Sequence, residues 1–212
     1  MIRKSVKRFS EKIKIGYLSG EFRDQATSRL MVELLELHDK NAFEIDIFDN
    51  GWDDGSDIRK RIDAACAQIF PISNLSDDVV AGQIRERGIH ILVNLNGFFG
   101  LQRNNVFNRK PAPIQVSYLG FPGTLGVDYL DYIIADRVVI PETDTQHYNE
   151  KVVYLPNCYQ INDRKRKISA KAYSRSELEL PEQGVVFCCF NNTYKITPAI
   201  FERWMRILRR VD

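Results

Sequence analysis

Several kinds of chemistry are missing from this sequence. It has four cysteines and three histidines in 212 residues. None forms a CxxC pair or a Cys/His spacing suited to a metal, which removes the zinc-site and thioredoxin-like readings. No GxGxxG and no Walker sequence occurs, so the standard dinucleotide and P-loop fingerprints are absent. No apolar run approaches the length of a membrane span. The opening stretch MIRKSVKRFSEK is basic but has no apolar segment behind it, unlike a secretory signal, so the expected compartment is the cytoplasm. Thirty Lys and Arg against 28 Asp and Glu leave a net charge of +2, too little for a nucleic-acid-binding field. The basic runs Arg3 to Arg8 and Arg164 to Lys167 read as solvated charge. His90 reads as a hydrogen-bonded structural residue, and His38 and His147 have no partner that suggests catalysis.

What is present is an alternation of short apolar runs with amphipathic ones. Strands are expected at Lys12 to Leu18, Phe43 to Phe48, Ile69 to Ile72, His90 to Leu95, Ile114 to Leu119, Tyr132 to Ala135 and Lys151 to Leu155. Helices are expected between them: one capped by Thr27 or Ser28, one opened by Ser56 or Asp57, one opened at Ser76 and stopped by Gly88, and one around Leu101 to Arg109. Near-continuous apolar strands such as HILVNL belong to sheets covered on both faces. The alternation therefore predicts βαβ units and a parallel, doubly wound α/β sheet. From Asn157 to Gln183 the pattern fails, and the segment reads as a linker. Gly184 to Phe190 then reads as a new buried strand with Cys188 and Cys189 as core thiols, followed by a helix capped by Thr197 with Pro198 at its first position.

In an open α/β sheet, ligands bind outside the carboxyl ends of the strands. Three turns fall at such ends: Ser19 to Thr27, Asn94 to Phe99 with Asn96-Gly97, and the glycine-rich Leu119 to Thr124. Glycines after a strand bring backbone close to another element or a ligand, and the sequence alone leaves both open. Lys195, just ahead of a helix start, can neutralise a phosphate that also meets the helix's free N–H groups. A solvated loop lysine is the alternative there.

Several motifs now carry a resemblance. KIGYLSGEF with TSRLM, GIHILVNLNG, the block KPAPIQVSYLGFPGTLGVDYLDYIIAD, YNEKVVYLP and FNNTYKITPAIFERWMRIL occur in order. Together they resemble the catalytic region of the O-linked N-acetylglucosamine transferases, in their SPINDLY-like, bacterial branch. The resemblance implies a metal-independent, inverting glycosyltransferase of GT-B architecture, with a UDP-sugar bound between two Rossmann-like lobes. UDP-GlcNAc or a related UDP- or GDP-sugar would be a substrate rather than a cofactor, and no metal is expected. The acceptors would be Ser or Thr hydroxyls of proteins; transfer of another sugar such as fucose, or a catalytically inactive binding or assembly module, are the alternatives.

By the same resemblance, Leu119, Gly120, Pro122, Gly123, Thr124, Asn96 and Gly97 would line the donor site, with Asn192 near the nucleotide. Lys195 would stabilise the leaving diphosphate, in the place of a metal ion. Gln25 replaces a histidine of the family, and an amide does not accept a proton near neutral pH. The implied organisation is a basic tail (residues 1–11), an N-terminal Rossmann-like lobe (12–156), a linker (157–183) and the first strand and helix of a C-terminal lobe (184–212). That lobe is expected to be truncated in this chain, and the Trp204 helix face is a candidate pairing surface.

Overall fold

The computed structural model describes residues 11–211, so the expected basic tail lies outside the described residues apart from Glu11. The chain divides between Arg166 and Lys167 into two compact units. The first carries β1 (Ile13–Ser19), β2 (Phe43–Asp49), β3 (Gln68–Pro71), β4 (Ile91–Asn94), β5 (Ile114–Ser117), β6 (Tyr132–Ala135) and β7 (Lys151–Tyr154). All neighbours pair in parallel, in the order β3-β2-β1-β4-β5-β6-β7. This is the doubly wound, Rossmann-like order with a seventh strand, as the alternation predicts.

Helices α1 (Ala26–Leu37), α2 (Asp57–Ala65), α3 (Asp77–Arg87) and α4 (Asn104–Asn108) cover the two faces. Successive strand residues point to opposite sides. Ile15, Tyr17, Ile45, Ile47 and Val93 meet Met31, Val32 and Leu35 of α1 and Ile62 of α2. Leu18, Phe48 and Leu92 meet Val80 and Ile84 of α3 and Val106 and Phe107 of α4. Burying each such side chain contributes about 1.5–3 kcal/mol, which is why the strands read as apolar on both faces.

The Ser56 hydroxyl caps α2 by accepting from the Arg59 N–H, Ser76 does the same for Val79, and Gly88 ends α3 in the left-handed region at φ 69°. The expected cap of α1 is corrected. Its first flanking residue is Gln25, with no side-chain cap bond, and Thr27 and Ser28 are buried inside the helix. The Ser28 hydroxyl instead donates to the Glu21 carbonyl at 2.6 Å.

The start of the expected linker is held on the first unit. Tyr159 and Ile161 pack on the α1/α2 side of the sheet. Arg61 bridges Glu36 and Asp163, and Arg164 pairs with Glu33. Polar composition hid this attachment, because ion pairs rather than apolar residues make much of it.

In the second unit, Thr197 caps α5 (Pro198–Leu208), with Pro198 at its first position. The buried strand expected at residues 184–190 is not formed. Those residues are exposed, Phe190 at 96%, as are Cys188 and Cys189, so the core-thiol expectation is corrected too. A strand exists only where a neighbour pairs its backbone, and none does so among the described residues. No helix of the described residues is long and apolar enough to cross a membrane.

Candidate functional site

Strand order reverses between β1 and β4, with β2 and β3 on one side and β5 to β7 on the other. A crevice opens outside the carboxyl ends at such a point. The loops after β1, β4 and β5 meet there, which brings together the expected site residues of the first unit.

Two asparagines build the loop after β4. The Asn94 side-chain oxygen accepts from the N–H groups of Asn96 and Gly97, each at 3.0 Å. Its amide nitrogen donates to Asn104, which in turn donates to the Gly97 carbonyl. Asn96 is buried; its oxygen accepts from Gly20 N–H at 3.2 Å and its nitrogen donates to the Phe99 carbonyl at 2.9 Å. Asn96 thus ties the β1 loop to the β4 loop through backbone contacts. Asn-x-Asn-Gly after a strand is a turn signal of this kind, yet Asn94 was missed in the sequence.

The loop after β5 is pressed onto the one after β4. Gly97 has φ 57°, and a Cβ there would stand 2.5 Å from that of Phe121. Leu119 is buried and takes φ 70°, a conformation uncommon outside glycine. Pro122 is exposed and Gly123 half-buried. Phe98 and Phe99 are exposed at the rim, with Phe98 edge-on to Phe121 at 5.5 Å.

Thr124 has a partner that the sequence did not reveal. Its hydroxyl donates to the buried Glu150 carboxylate at 2.6 Å and accepts from Gly126 N–H, while Leu125 N–H donates to the other Glu150 oxygen at 2.9 Å. Asp136, at the end of β6, accepts from the N–H groups of Val138, Val139 and Tyr159. The Tyr159 and Val139 bonds hold its carboxyl below the usual range.

The loop after β1 holds Gln25 at the exposed start of α1. Before it come two buried charges that sequence reasoning also missed, Glu21 and Arg23. The Arg23 guanidinium donates to the Gly20 carbonyl, lies 3.6 Å from Glu21, and stacks 3.9 Å over the Trp52 ring. Its Nε has no partner among the described residues. Burial pushes the Glu21 carboxyl up, against the opposing pull of Arg23.

Asn192 and Lys195 belong to the second unit. Both are exposed and lie on one turn, where Lys195 N–H donates to the Asn192 carbonyl at 2.9 Å. Lys195 closes a 3-10 turn, Thr193–Lys195, two residues before the Thr197 cap of α5.

The profile described as Glycosyl transferase family 41 matches residues 2–172 and 167–212. An Arabidopsis thaliana protein described as "Probable UDP-N-acetylglucosamine--peptide N-acetylglucosaminyltransferase SEC" is 38% identical over 95% of this chain and 21% of its own length. A second Arabidopsis thaliana protein, described likewise but as SPINDLY, is 28% identical over 92% of this chain and 21% of its own. Among solved structures, a mutant O-GlcNAc transferase of Thermobaculum terrenum matches with a TM-score of 0.83 at 28% identity, over 94% of this chain and 37% of that one. The chain therefore spans about a fifth of the length of these curated relatives.

Proposed function

Since this chain belongs to Glycosyl transferase family 41, we propose that it carries part of the catalytic region of a protein O-glycosyltransferase with GT-B architecture. The donor is UDP-GlcNAc or a related UDP- or GDP-sugar, and the acceptor is a Ser or Thr hydroxyl of a protein. The observation that supports this best is the convergence of the loops after β1, β4 and β5 at the point where strand order reverses. Gly97, Leu119, Gly120, Pro122 and Gly123 offer backbone and small surfaces to the sugar, and Thr124 and Asn96 hold those surfaces in place. Lys195 places a cation ahead of the α5 N-terminus, where a leaving diphosphate gathers charge. It does the work that a divalent metal does elsewhere, so the proposal includes metal independence. Attack by the acceptor oxygen from the side opposite the diphosphate gives inversion at the anomeric carbon.

The test is transfer itself. The full chain is incubated with UDP-GlcNAc, in parallel with GDP-fucose, and a Ser/Thr peptide in the presence of a metal chelator. Mass spectrometry reads the product and NMR its anomeric configuration. A glycosylated peptide of inverted configuration supports the reading; a product of retained configuration, or one that forms only when a divalent metal is supplied, contradicts it.

A second reading is an assembly module acting through the Trp204 face of α5. It is favoured by a single observation: no residue of that helix is buried, and Ile200, Phe201, Ile207 and Leu208 are exposed. Sedimentation that shifts from dimer to monomer on Trp204→Glu supports it.

A further inference from the structure

One carboxylate near the crevice differs from its neighbours. Asp49 is paired with Arg59 at 2.6 Å and accepts from Gly51 N–H at 2.8 Å. Asp24 is paired with Arg29, Asp54 accepts from Asp24 N–H, and Glu150 and Asp136 are satisfied as described above. Glu21 is 5% exposed, and its carboxylate makes no hydrogen bond among the described residues, yet its oxygens are not sealed off from solvent as the unpartnered Arg23 Nε is. Its counterion is Arg23, 3.6 Å away on the same loop. The β4 loop opposite presents the uncharged Asn96 and Gly100. A Cβ on Gly100, which takes φ 58°, would stand 3.0 Å from a Glu21 oxygen, so the missing side chain keeps an approach to that oxygen open. A carboxylate that no donor holds and that stays reachable from the crevice is free to take a proton from an entering group. Among neighbouring carboxylates that are all paired or hydrogen-bonded, a proton-handling role accounts for this one.

We propose that Glu21 is the proton acceptor for the incoming hydroxyl. As the Ser or Thr oxygen bonds to the anomeric carbon, the bond from that carbon to the diphosphate oxygen breaks, and its electron pair leaves with the nucleotide. The hydroxyl proton passes to a Glu21 carboxylate oxygen. This rests on the transferase reading above. Burial, which raises the affinity of Glu21 for a proton, suits it to the task, and Gln25, four residues on, offers no base.

The test compares the parent protein with Glu21→Gln on a serine peptide near neutral pH and on a cysteine peptide at about pH 9, where the thiol ionises by itself. For Glu21→Gln, kcat on the serine peptide falls about 10²–10⁴-fold, KM holds, and the acid limb of the pH profile disappears. The loss on the cysteine peptide is much smaller, which a merely structural role would not produce. Glu21→Asp covers the case in which the amide variant fails to fold. It keeps the charge, withdraws the oxygens by one carbon, and lowers kcat on serine while sparing cysteine. Equal losses on both peptides, or an unchanged kcat and acid limb, overturn the role while leaving the transferase reading intact. Transfer with retained configuration by the parent protein overturns both.

Discussion

A Cβ placed on Gly120 would stand 2.0 Å from the Leu95 carbonyl oxygen. The backbone after β5 is thus seated directly on the backbone after β4, and two of the three loops at the crevice behave as one body. Because the obstructing atom belongs to the backbone, no side-chain rotation relieves it. Gly120→Ala is expected to cost about 1–3 kcal/mol, the range for overpacking, read as a lowered urea midpoint. It should weaken donor binding beyond what that loss of stability explains. A midpoint equal to that of the parent would contradict this contact.

Thr124 stands where the family resemblance implies a sugar ligand, but its hydroxyl is bonded to Glu150. Thr124→Val keeps the shape and strands a buried carboxylate oxygen, a loss of about 1–3 kcal/mol. A double-mutant cycle with Glu150→Gln should show coupling, since the two share one network. Additive losses would mean that the pair acts independently.

Acid should loosen the attachment of residues 163–165 to α1 and α2. Hydrogen bonds from Arg164 hold Glu33 below its usual range, and those from Arg61 do so for Glu36 and Asp163. Their folded pKa values lie below the unfolded ones, near 3.9–4.3. Their stabilising contribution is therefore complete above about pH 5 and lost as pH falls through the folded values. The melting temperature should drop over that range, and Arg61→Ala should flatten the drop. A pH profile of Arg61→Ala parallel to that of the parent would contradict the assignment.

The sheet was legible because β1, β4 and β5 are largely buried runs rich in apolar residues, while β2 and the edge strands β3 and β7 still carry short apolar stretches between turn signals. The cap of α1 was not. Thr27 and Ser28 have the right chemistry, but Ser28 is drawn to the Glu21 carbonyl, a tertiary contact that propensity does not encode. GVVFCCF has strand composition, yet composition cannot supply the neighbour that a strand needs. Among site residues, the glycines were legible as places of close approach. Asn94, Glu150 and Glu21 were missed because their importance lies in what they bond, or fail to bond, across 20 or more residues or within a buried loop. Asn96 and Thr124 were noticed for their position, while their hydrogen bonds give them a supporting role.

Lys195 is an exposed cation two residues ahead of the α5 cap, and its proposed action on the leaving diphosphate is the central chemical claim. The most direct measurement is the rate of sugar transfer from UDP-GlcNAc to a serine peptide by the full chain and by Lys195→Met. Removing one preorganised charge from a leaving group should lower kcat about 10²–10³-fold, while the melting temperature stays unchanged, since the side chain is not packed. Transfer by Lys195→Met at the rate of the parent would contradict the account.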